Sequence, residues 1–142
     1  MDIQLIITRL KLQPAFKRVG GAIDLPTAQA DLKNLVPAVY VIPLRESAGQ
    51  NLVDTNLTLR QAVRLRMAVM VAVSNVRDVR GEAAQGDLEP VRAALRSALL
   101  GWTPDPAVCD PFEFDSGRLV SLSNATLWWL DIFRTVQYVS NV

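Results

Sequence analysis

From about Leu57 to Val73 the chain alternates with a period of two, and this run limits the possible folds more than any other stretch. Val63, Leu65, Met67, Val69, Val71 and Val73 fall on one face of an extended strand, because successive side chains point to opposite sides of a sheet. Arg64, Arg66, Ala68, Met70 and Ala72 fall on the other. That second face begins charged and turns apolar, so something is expected to cover only its second half: a helix, or a neighbouring subunit. A second long run, Ala125–Val139, carries Trp128, Leu130, Ile132, Val136 and Tyr138 on one face, broken by Arg134. Leu127, Trp129, Phe133 and Val139 share its other face with Asp131, Thr135 and Gln137. Apolar residues on both faces fit a central strand covered on two sides, or one covered on one side by another chain. Arg118–Leu122 reads as its hairpin partner, turning near Ser123 and Asn124.

The helices announce themselves by a different period. Asp2 is placed to cap a short first helix with Ile3, Ile6, Ile7 and Leu10 on one face, ended by Pro14. Leu88, Val91, Ala94, Leu95, Ala98 and Leu99 recur at steps of three and four, which predicts a helix from about Asp87 to Leu100 with Pro90 tolerated in its first turn. Gly101 then suits the left-handed position past a helix end, and Pro104 cannot continue the helix. Between these, Phe16–Leu25 reads as an extended edge with a turn or bulge at Gly20–Gly21, and Thr27–Leu35 as a short helix. Ala38–Ile42 is a β-branched strand closed by Pro43, and Leu44–Asn56 reads as a polar loop. Asn75–Gly86 is a polar connection, and Gly101–Pro111 a break after the long helix.

At 142 residues the chain suits a single domain, residues 1–142, able to bury a core without staples. Half of it is apolar and only 20% charged, so self-association is the first expectation. Fifteen basic and 14 acidic residues leave a net charge of +1, too little for a global field that would draw the protein onto nucleic acid or an anionic membrane. The start of the chain does not read as a signal peptide, and Met67–Val73 is far too short to span a bilayer. One cysteine, Cys109, gives no intrachain disulfide and fits a reducing compartment.

Chemistry is sparse. The chain has no histidine, which removes the commonest proton shuttle and metal ligand. Asp105, Asp110, Glu113 and Asp115 form a carboxylate cluster that could serve a small enzyme or a hard cation, though its interleaving with Pro106, Pro111, Phe112 and Phe114 favours a solvated loop. Cys109 has a carboxylate neighbour that opposes thiolate formation. Arg9, Lys11, Lys17 and Arg18 make one basic patch, and Arg77, Arg80, Arg92 and Arg96 another, without the aromatic interleaving of a single-strand binder. No catalytic residue, metal site or cofactor site is expected. The residues alone lead to a soluble α/β interaction domain.

Four patterns in order extend this reading: Phe16-Lys-Arg-Val-Gly-Gly-Ala22, Val36-Pro-Ala-Val-Tyr-Val-Ile-Pro43, Ala98-Leu-Leu-Gly-Trp-Thr-Pro104 and the final Trp128–Tyr138 strand. Together they resemble the tail terminator family of long-tailed bacteriophages. The resemblance implies an α+β fold, a mainly antiparallel β-sheet with two principal helices packed on one face. It further implies a structural virion protein, assembled in the host cytoplasm, that forms a ring of six copies at the head-proximal end of the tail. Such a ring would cap the tail tube protein, stop its polymerisation and offer a surface to the head-completion or connector protein, while DNA passes through the lumen without specific binding. A ring needs two different patches on each subunit. Met70, Ala72, Trp128, Trp129 and Phe133 are the expected subunit interface, and Arg45, Glu46 and Asp54 the expected docking loop for tube or neck. The rival readings are a head-closure or tail-completion ring subunit, a small enzyme using Asp105–Asp115, and a nucleic-acid binder.

Overall fold

In the computed structural model, residues 1–24, 26, 36–53, 57–74, 82–122 and 126–141 are described, with the backbone alone at 82–86. Five strands form one sheet. β1 (Arg18–Gly21), β2 (Ala38–Asn51), β3 (Arg60–Ser74), β4 (Glu113–Leu122) and β5 (Thr126–Ser140) lie side by side in the order β1-β2-β3-β5-β4. Only β1 and β2 run parallel; the other three pairings are antiparallel. Helices α1 (Ile3–Lys11) and α2 (Glu82–Leu99) pack on one face, and the fold is the expected α+β one.

The two periodicities meet in a single core. Ile6, Ile7 and Leu10 of α1 and Leu88, Val91, Leu95, Ala98 and Leu99 of α2 bury against Val39, Val41, Met67, Val69, Val71, Val73, Leu127 and Phe133. These sheet residues all point to one side, as the alternation along β3 requires. On the opposite side a smaller cluster of Ala38, Tyr40, Ala72 and Trp128, with Met70 packed against it, covers the apolar half of the second face. Asp2 caps α1 by accepting a hydrogen bond from the Gln4 N–H at 2.9 Å, and Gly101 takes φ +77° just past α2.

Several elements differ from their sequence-based outlines. Gly20 and Gly21 form no turn; they lie in β1, where Asp24 folds back so that its carboxylate accepts from the Gly21 N–H at 2.9 Å. A Cβ on Gly20 would sit 2.8 Å from that carboxylate, so the glycine is there for close approach. β2 does not stop at Pro43 but runs on to Asn51, with irregular register after Pro43 and after Ala48. Proline is tolerated there because β1 ends opposite Val41, leaving β2 an edge strand from that point. The long helix starts at Glu82 rather than Asp87, so Pro90 lies inside it. β4 begins at Glu113, five residues before the expected hairpin strand. The expected helix at Thr27–Leu35 and the turn at Ser123–Asn124 lie outside the described residues.

Candidate functional site

The acidic segment does not assemble into a reaction centre. The Asp105 carboxylate accepts from the Ala107 N–H at 3.1 Å, and its carbonyl accepts from the N–H groups of Val108 and Cys109. Asp105 therefore shapes a turn. Glu113 and Asp115 have moved onto β4, where Arg134 lies 3.1 Å from Glu113 and 3.7 Å from Asp115; Arg66 also lies 3.7 Å from Asp115. Among the described residues no group of three or more acidic or cysteine side chains could hold a metal ion. Cys109 is buried, and burial first, then the Asp105 charge, raises its thiol pKa above the ordinary value. The thiolate needed for nucleophilic chemistry is thus disfavoured.

The five expected interface residues do not share one surface. Met70, Ala72 and Trp128 lie on the sheet face away from the helices, and Trp129 and Phe133 on the helix face. Ala72 and Phe133 are fully buried within the chain and have no area to offer a neighbour. The chain's own residues cover them: Phe114 meets the Phe133 ring edge-on at 5.8 Å, and Tyr40 lies 6.5 Å from Trp128. Trp129 has an internal task. Its indole N–H donates to Asp131 at 2.9 Å, while Arg92 of α2 donates two hydrogen bonds to the same carboxylate at 3.0 and 3.1 Å and lies 4.6 Å over the indole. Hydrogen bonding to Asp131 raises the Arg92 pKa further, so this arginine is a clamp between helix and sheet rather than part of a basic patch. Arg77 and Arg80 lie outside the described residues.

Trp102, after the helix break, stacks on Phe112 at 6.2 Å with Arg9 5.4 Å over its ring. Arg9 also donates to the Ala98 carbonyl at 3.0 Å, tying α1 to the last turn of α2. The indole is packing within the subunit.

What remains is an arm. Beyond Pro43, β2 runs exposed to Asn51, and with the first part of β3 and the last part of β5 it extends the sheet past the helices. Arg45 and Glu46 lie on this strand, paired with Arg66 and Leu65, so the expected docking loop is a strand as far as Asn51. Asp54 lies outside the described residues. Arg45, Arg66 and Arg134 stand side by side across three strands with Glu113 closing the row. Like charges directly opposite one another repel, and the β4 carboxylates relieve Arg66 and Arg134. A cleft of about 460 Å³ opens here, lined by Arg45, Ser47, Arg64, Arg66, Asp110, Glu113 and Arg134 among others. At the tip, the Asn51 side chain accepts from the N–H groups of Val53 and Arg60, and Asn141 accepts from Leu59 N–H at 2.7 Å and donates to the Leu57 carbonyl. These bonds fix a tip that exposes Leu52, Leu57 and Leu59. Sequence reading missed it because Leu57 and Leu59 continue the period-two run and read as the start of a buried strand face, while Leu52 lies in a polar segment.

The chain matches the family described as phage tail terminator protein over residues 1–141, nearly its whole length. No curated protein matches it.

Proposed function

Since the chain belongs to the phage tail terminator family, and is thereby a structural protein of the phage tail, we propose that it closes into a ring on the head-proximal end of the tail tube. There it stops tube polymerisation and presents a docking surface to the head-completion or connector protein, with DNA passing through the lumen unbound. The observation that carries this reading is the match across residues 1–141. The arm supports it: an exposed, internally hydrogen-bonded extension is built for contact, and the described residues assemble no reaction centre beside it. The protein's place is then the virion, and no helix among the described residues is long and apolar enough to cross a membrane.

Tail length tests the proposal. Tails assembled without this protein should be overlong by electron microscopy, and adding the purified protein during assembly should restore a uniform length. Arg45→Ala with Glu46→Ala should fold normally, because both side chains are exposed, yet cap poorly. Tails of normal length that fail to join heads would instead favour a head-closure or tail-completion ring. Unchanged length and unchanged joining would sink both readings.

A further inference from the structure

Among the described residues the sheet has two open edges. β4 is its outer strand on one side, and β2 becomes the outer strand on the other once β1 stops opposite Val41. Ser116–Leu122 and Leu44–Asn51 are exposed throughout, and no described residue pairs with either outer edge. An open edge offers unpaired N–H and C=O groups to any passing strand, and proteins blunt it with charge, proline or cover. β2 carries Pro43, Arg45 and Glu46. The end of β4 carries no charge or proline from Leu119 onward, and leaves Leu119 48%, Val120 41% and Leu122 41% exposed.

We infer that the apolar end of β4 pairs with the open part of β2 in a second copy of this chain, so that copies join head to tail through one continuous sheet. This rests on the ring reading above and names its contact. Two observations select a second copy. The two open edges are different surfaces of the same chain, as a closed ring of identical subunits requires. The strand directions agree: β2 and β5 run one way and β3 and β4 the other, so a copy rotated about the ring axis brings β4 against β2 antiparallel, like the three antiparallel pairs already present. The heights set an offset between copies. Val41 lies level with Gly117 through Val69 and Asp131, so β1 blocks β2 opposite the apolar end of β4, and the copies must slip along the strands. An even slip keeps the helix faces on one side. Six residues, about 20 Å, over four strand spacings, about 19 Å, tilt the strands by about 46°, close to the 35–45° typical of closed sheets. At that slip Arg118 faces Ser47, and Leu122 faces Pro43.

Light scattering and cross-linking test the pairing together. The wild-type chain should give the mass of a ring, and Val120→Lys with Leu122→Lys should give a folded monomer of 15.6 kDa with an unchanged circular dichroism spectrum. Ser47→Cys combined with Arg118→Cys should, on oxidation, form a ladder of disulfide-linked multimers, while each single variant, whose new thiol faces no thiol in the next copy, stays unlinked. If the wild type forms a ring, the lysine variant keeps it and the double cysteine variant gives no ladder, the edge pairing is overturned and the ring stands. A wild-type chain that stays monomeric both in solution and at tube ends overturns the ring and the pairing with it.

Discussion

Asp131 is the one charged side chain among the described residues that is fully removed from water, and what surrounds it explains several separate choices of residue. Arg92 supplies the opposite charge, Trp129 a further N–H, and Gly117 the space: a Cβ there would sit 2.7 Å from the Asp131 carboxylate and 3.1 Å from both Arg92 and Trp129. A buried ion pair adds little over an apolar pair of the same shape, but removing one partner strands the other. Arg92→Ala should therefore cost about 3 kcal/mol in urea denaturation, at the low end for such losses because Trp129 still donates to Asp131. A loss below about 1 kcal/mol would mean that the pair is solvated. None of this clamp was legible in the sequence. Arg92 and Asp131 are 39 residues apart, and periodicity reports which face a residue occupies but not what meets it there. Arg92 on a polar helix face looks like any solvated cation, and Asp131 on an apolar strand face looks like an interruption.

At the scale of elements, the outlines that came through are those whose burial has a period. α1, β3 and β5 bury one or both faces under a core, and the alternation of apolar residues records that burial directly. The Gly101 break came through because a left-handed residue at a helix end has its own chemistry. The second half of β2 left no such record. Leu44–Asn51 is held by its ladder to β3 and is exposed on both faces, so its sequence is as polar as a loop. α2 starts earlier than the apolar repeat from Leu88 predicts, so Pro90, tolerable in a first turn, lies nine residues into the helix. That difference has a measurable sign. A proline in a helix interior costs about 3 kcal/mol relative to alanine, and one in the first turn costs little. Pro90→Ala should raise the thermal midpoint by several degrees, and a midpoint that stays or falls would place the helix start near Asp87 after all.

For the whole molecule, apolar cover is unevenly distributed. Both helices and the main cluster lie under Val39, Val41 and Met67–Val73, and the smaller cluster backs the same half of the sheet. The arm beyond Pro43 has neither, and its outer strand stands exposed along Leu44–Asn51. The composition leads to an expectation of self-association, and the residues expected to carry it include Ala72 and Phe133, which the fold uses internally. Exposed apolar area lies instead on Leu119, Val120, Leu122 and the tip leucines, and also on Leu12 and Ile23 near the start of the chain. Uneven cover also gives the molecule an internal clock. Local opening takes least free energy where few buried contacts must be broken, so deuterium uptake along β2 in the free chain should be slow through Ala38–Val41 and fast through Arg45–Asn51. The boundary between slow and fast amides, near Pro43, should then migrate toward Asn51 as subunits associate, turning one strand into a gauge of how far assembly has gone; a boundary that stays fixed in assembled material would show that β2 is not the strand that closes.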